Sequence, residues 1–155
     1  MNYEADRLNK VIQDSRKIYS LQSQIWSPYF NDHIFLTSDG LNHLQYKNNR
    51  TPRNTREQLL KLLLLPRALE VIKKAGTLQE YRRSLEKIGN PQRDGFYKTK
   101  QIEYWGFHSI FGENNLRKIV VILKRVGDGK VIFWSVMPHR KFNNPKLYDD
   151  GIEDF

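Results

Sequence analysis

Apolar residues recur at helical spacing through the first half of the chain. Over residues 3–26, Leu8, Val11, Ile12, Ile18, Tyr19, Ile25 and Trp26 fall three, four and seven apart, which predicts a helix with one apolar stripe, ended by Pro28. Residues 33–37 (HIFLT) form a short apolar run of strand type, and Ser38, Asp39 and Gly40 behind it can cap a short helix over 41–47 that carries His43. The next pattern, 59–65 and 68–75, is dense in leucine, with an N-cap at Asn54 or Thr55 and a stop at Gly76. Pro66 either kinks this helix or opens a second one. Residues 77–87 extend the helical reading with Tyr81, Arg82 and Arg83, and 89–95 (GNPQRDG) reads as a loop.

The period changes in the last third. Segments 102–111, 116–126 and 130–137 are rich in aromatic and β-branched residues between turn signals, which predicts an antiparallel meander. The fold class is therefore α+β, with N-terminal helices packed on one face of a C-terminal antiparallel sheet. Asp128 and Gly129 suit a two-residue type I′ turn, which pairs Lys124 with Phe133, Leu123 with Trp134, Ile122 with Ser135 and Val121 with Val136. On that register Val121, Leu123, Ile132, Trp134 and Val136 share the helix-covered face. Val120, Ile122, Lys124, Phe133, Ser135 and Met137 share the other, with Lys118 in its continuation. A one-residue slip reverses these faces.

Composition narrows the chemistry. The 155 residues suit one domain over 1–148, followed by an acidic tail, 149–155. With no cysteine, disulfides, thiolate metal sites and a thiol nucleophile are excluded. No apolar run approaches the ~20 residues that span a bilayer, and the polar N-terminus does not read as a signal peptide, so a cytoplasmic protein with no membrane partner is expected. Net charge is +9, and four acids fall in the last seven residues, so residues 1–148 carry +13. A body this basic attracts polyanions and gains affinity by releasing counterions from phosphates.

His43 stands just before the polar loop 47–56 (KNNRTPRNTR), where Lys47, Arg50, Arg53 and Arg56 can hold phosphate. General acid or base work on RNA needs a group titrating near neutrality beside such cations. The bland alternative is a surface or capping histidine and a solvated loop. His108 lies between bulky aromatics (EYWGFHSIF), where a structural histidine is equally common, while His33 and His139 have no matching partner. Tyr97, Tyr104 and Trp105 can stack unpaired bases or belong to the core. The histidines show neither metalloprotease spacing nor a metal cluster, and no glycine pattern suggests a phosphate-binding loop, so neither metal nor cofactor is expected. Ser135 lacks a nucleophile elbow and is read as a hydroxyl that hydrogen-bonds phosphate.

Taken together, the strand HIFLT, the helix LNHLQYK with its histidine, the basic loop, the leucine-rich helix and the closing VIFWSVMP resemble the barnase, EndoU, colicin and RelE-like (BECR) ribonuclease superfamily, in its phage and bacterial branch. The resemblance covers about residues 32–138, with 1–30 as an N-terminal helical extension. It implies a helical layer on an antiparallel sheet and RNA cleavage without metal on a concave sheet face. It also implies His43 and Ser135 as site residues. By analogy with the EndoU branch, His108 and either Lys118 or Lys124 would join them. Lys124 is taken as catalytic with His43, His108 and Ser135, and Lys118 and Tyr104 as RNA contacts beside the loop cations. The expected activity is a toxin-like endoribonuclease acting by 2′-hydroxyl attack to a cyclic phosphate. RNA is the expected partner, tRNA among the candidates, and an antitoxin or immunity protein would restrain it. The alternative is a non-catalytic RNA- or DNA-binding module, with an interaction protein that meets an acidic partner as a further rival.

Overall fold

A computed structural model of the chain describes residues 3–138; His139 and the acidic tail 149–155 lie outside the described residues. Three helices, α1 (Tyr3–Leu21), α2 (Ser38–Gln45) and α3 (Thr55–Lys74), accompany six strands, β1 (Gln24–Ser27), β2 (Asp32–Phe35), β3 (Glu80–Ile88), β4 (Lys98–Phe111), β5 (Arg117–Val126) and β6 (Ile132–Pro138). The sheet runs β1-β2-β6-β5-β4-β3. All neighbours are antiparallel except β2 and β6, which are parallel and share the single pair Phe35 with Ile132. The chain is α+β, as the patterning predicts, with its helices in the N-terminal half and its long strands in the C-terminal half.

Helix α3 is continuous through Pro66. Asn54 caps it: its Oδ1 accepts the Glu57 backbone N–H at 2.8 Å while its amide donates to the Glu57 carboxylate at 3.1 Å. Leu62, Leu65, Ala68, Leu69 and Ile72 then meet Phe107, Val121, Leu123, Phe133 and Val136 in the main core. Leu8, Val11, Ile12, Ile18 and Tyr19 of α1 pack against the same cluster. Among the described residues, no helix is long and apolar enough to cross a membrane.

Four expectations change. Helix α1 stops at Leu21, and Ile25 and Trp26 lie in a strand whose alternate residues Ile25 and Ser27 are buried. A hairpin with β2 pairs Ile25 with Ile34, and over so few residues the two periods coincide. Residues 80–88, expected to be helical, form β3. Its face pattern alternates strictly, but six of its nine residues are polar or charged and fall on both faces, so hydrophobic periodicity carried no signal and the ladder with β4 decided. The turn after β5 is centred on Gly127 and Asp128, with Gly129 N–H donating to Val126 C=O at 3.0 Å and Gly127 at φ 56°. Type I′ at Asp128 and Gly129 is thereby excluded, because Gly129 lacks positive φ.

The fourth change bears on function. Val121 pairs with Val136 and Ile122 with Ser135 as expected, but a β-bulge follows, so Leu123 pairs with Phe133 and Lys124 with Ile132. The additional residue in β6 is Trp134. Phe133 therefore enters the helix-covered core, while Trp134 joins Ile102, Tyr104, Val120 and Ile122 on the opposite face, with Ile132 packed beside them. These three assignments are the reverse of those read from an unbroken register.

Candidate functional site

Beyond Phe35 and Ile132, β2 and β6 no longer pair, and α2 lies alongside β6 where its partner strand departs. The approach is close: a Cβ on Gly40 would stand 2.1 Å from the Phe133 carbonyl oxygen, so only glycine fits this point of α2. One turn later His43 stacks on the bulged Trp134, with ring centroids 4.0 Å apart and planes 17° from parallel. The Lys124 ammonium lies 3.7 Å from the same indole's centroid.

The polar loop folds back onto the histidine. Arg53 N–H donates to Gln45 C=O, its Nε donates to the His43 carbonyl at 3.1 Å, and its Nη2 lies 3.4 Å from His43 Nε2. A guanidinium only donates, so this contact places the imidazole proton on Nδ1. From α3, Lys61 Nζ donates to the Val136 carbonyl at 3.2 Å and to Ser135 Oγ at 3.4 Å. Arg53, Lys61, Lys124 and Ser135 thus surround or adjoin one stacked His–Trp pair, contributed by the loop, α3, β5 and β6.

This density of cations sets the titration. His43 is only 4 % exposed, and burial first, then Arg53, Lys61 and Lys124, lower its pKa to about 3. The imidazole is neutral at physiological pH rather than poised near neutrality. The group pushed toward neutrality is Lys61, lowered to about 7 by burial and by Arg53, against a smaller opposing effect of Glu57. Burial also lowers the pKa of Lys124, while Glu86 and Asp39 partly restore it. Burial raises that of Tyr104.

The other predicted residues are distributed more widely. Lys47 and Arg50 are exposed on the connection from α2 to α3, with Arg50 at φ 65°. Arg56 is turned away from His43 and lines a groove of about 400 Å³ between α1 and α3 with Tyr3, Arg7, Leu60 and Leu63. His108 pairs through Nε2 with Glu80 Oε2 at 2.9 Å. It stands two strands and two residues from Ser135 in the register, roughly 12 Å by strand spacing and rise, outside hydrogen-bond reach of the cluster. Lys118 is six residues from Lys124 along β5, about 20 Å, so of the two lysines Lys124 is the one beside the histidine's stacking partner. Tyr104 is buried next to Lys124, 5.8 Å from ammonium to ring centroid. Trp105 belongs to the helix-covered core, edge-on to Phe30, and is not a free stacking surface. His33 contacts Trp26 at the far edge of the sheet.

Sequence reasoning missed two members. Trp134 was assigned to the helix-covered face because a bulge leaves no mark in residue type. Lys61 had a readable signal: it is the one charged residue in LLKLLLL, and it occupies the buried stripe of α3. Among the described residues no group of three or more His, Asp or Glu is placed to hold a metal.

The fold and site together define an α+β protein with a buried cationic cluster around a stacked histidine–tryptophan pair at the last strand. No protein-family model, no curated protein and no solved structure matches the chain.

Proposed function

We propose that this protein is a metal-independent endoribonuclease of the toxin type, with its reaction centre at His43, Arg53, Lys61, Lys124 and Ser135. The observation that carries the reading is the gathering of three cations from three separate elements around one stacked His–Trp pair, with Arg53 on His43, Lys124 over Trp134 and Lys61 on the adjoining Ser135. Concentrated positive charge is costly to bury and is offset when an anion of matching spread enters, which a phosphodiester provides. The resemblance of the sequence to the BECR nucleases supports the same reading.

In the proposed reaction the ribose 2′-oxygen bonds to the adjacent phosphorus and the bond from phosphorus to O5′ breaks. The 2′-hydroxyl proton passes to His43 Nε2, the nitrogen without a proton, as Arg53 Nη2 shifts its hydrogen bond from that nitrogen to a phosphorane oxygen, and O5′ leaves with a proton from the Lys61 ammonium. Products are a 2′,3′-cyclic phosphate and a 5′-hydroxyl. Arg53 and Lys124 balance charge on the phosphorane. A dianionic phosphorane among these cations raises the His43 pKa from about 3 toward the range where it accepts a proton. The sequence-level candidate His108 lies outside this centre and takes no step in it.

A second reading, a non-catalytic RNA-binding module, is favoured by one specific observation: His43 is buried and does not titrate near neutrality. The two separate in one experiment. Purified protein is incubated with RNA in EDTA, and new ends are mapped for cyclic phosphates. Folded His43→Ala is expected to cleave at least about 10²-fold more slowly with RNA affinity within a few fold of the parent, the usual weight of general acid–base catalysis. Cleavage by that variant at the parent rate, or none by the parent, transfers the conclusion to the binding module. An active ribonuclease also calls for a neutralising antitoxin or immunity partner in its own host.

A further inference from the structure

Strand β5 ends at Val126, opposite Ile102, but β4 begins four residues earlier, and β3 pairs with it all the way to Ile88 and Lys98. The β3–β4 hairpin therefore runs past the end of the sheet as a two-stranded arm. Residues Lys98–Gln101 and the connection 89–97 are exposed. A free two-stranded ribbon gains little stability of its own, and no residue of 87–100 belongs to either apolar cluster.

The arm's tip carries aromatic and basic side chains. Phe96 is 72 % exposed and Tyr97 40 % exposed, with the Lys87 ammonium 4.9 Å above the Tyr97 ring. Phe96 is held outward by local hydrogen bonds: its N–H donates to Asp94 Oδ1 at 3.0 Å, and its carbonyl accepts Gln92 N–H at 2.8 Å. Such a tether presents the ring with little conformational freedom left to lose on binding. Lys87, Arg93, Lys98 and Lys100 against Asp94 leave residues 87–100 at net +3. Exposed rings that interleave with cations match a strand that offers base faces and phosphates in alternation.

The arm also points from the correct end. Lys124 pairs with Tyr104, six residues from Lys98 on β4, and the tip rings lie just beyond. By strand rise this is roughly 25 Å from reaction centre to Phe96, or about seven nucleotides at the ~3.4 Å rise of stacked bases.

We propose that the β3–β4 arm is a second RNA subsite, in which Phe96 and Tyr97 stack unpaired bases of the strand flanking the cleaved phosphate and the arm's cations hold its backbone. This rests on the ribonuclease reading for its connection to the reaction centre. The test uses fluorescein-labelled 2′-O-methyl oligonucleotides, which lack the attacking hydroxyl, in lengths of 4 and 12 nucleotides, alongside cleavage of an unmodified dinucleotide. The double variant Phe96→Ala, Tyr97→Ala is expected to bind the 12-mer at least about tenfold more weakly, from the loss of base stacking. The 4-mer affinity and the dinucleotide rate stay within about twofold, because neither substrate reaches the arm. Phe96→Trp with Tyr97→Trp restores 12-mer affinity, which a purely structural role would not require. An alanine variant that holds the 12-mer within twofold of the parent overturns the subsite and leaves the surface to a protein partner. Arm-dependent binding by a parent that cleaves no dinucleotide removes the catalytic reading and supports the arm.

Discussion

Replacing Lys61 by methionine should make the protein more stable while abolishing its proposed activity. Lys61 is 8 % exposed, and its pKa falls from 10.5 to about 7 on folding. At about pH 6 the ammonium is charged in both states, and a shift of this size corresponds to up to ~5 kcal/mol of destabilisation at ~1.4 kcal/mol per unit. Methionine fills the volume of the stem without the charge, but it leaves Ser135 Oγ and the Val136 carbonyl without Lys61 as donor, a cost of ~1–3 kcal/mol. A net gain of up to ~2–4 kcal/mol remains, and at ~2–4 °C per kcal/mol this raises Tm by up to roughly 4–16 °C.

The pH dependence separates this cause from better packing. Below about pH 7 the folded and unfolded parent are both protonated at Lys61, so the advantage of Lys61→Met is constant. Between pH 7 and 10.5 the unfolded chain holds more protons than the folded one, so the parent gains ~1.4 kcal/mol per unit and the advantage shrinks. Thermal unfolding followed by circular dichroism across this range measures it. A difference that does not change with pH, or a methionine variant less stable than the parent at about pH 6, would refute the reasoning.

Gly40→Ala should separate α2 from β6, since its Cβ meets the Phe133 carbonyl at 2.1 Å; a loss of ~2 kcal/mol or more in denaturant unfolding is expected, and an unchanged midpoint contradicts the packing. The His43 imidazole should not titrate in NMR spectra between about pH 8 and 5, and stability should decline as pH falls from 6.5 toward 3, because the unfolded chain then takes up the proton first; an ordinary midpoint near 6.5 disproves the burial argument. Arg50→Ala, on the exposed loop, should flatten the salt slope of RNA binding by about one unit with stability within ~0.5 kcal/mol. Arg53→Ala should cost roughly 2 kcal/mol or more, as it removes the buried hydrogen bond to the His43 carbonyl; equal stability of the two variants would mean that Arg53 is not packed as described.

Much of the architecture was legible from residue order. Helix α3 with its Asn54 cap, the short helix carrying His43 and the three closing strands follow from periodicity and turn chemistry, which act over neighbours in the chain. The same local signals placed His43, Arg53, Lys124 and Ser135 in the candidate set, since charge and titratable groups are properties of residue type. What they could not reach was pairing. Strand β3 is polar on both faces and owes its conformation to nine backbone partners in β4. The bulge at Trp134 depends on how β6 meets β5, and it decides that the indole meets Lys124 and His43 rather than the core beneath α3. The distance between His43 and His108 is likewise set by the sheet order, and the role of Lys61 by which stripe of α3 meets β6. By itself the sequence determined the elements and their chemistry; the tertiary structure decided which groups stand together, because a side chain's neighbours across a sheet are fixed by register and not by position along the chain.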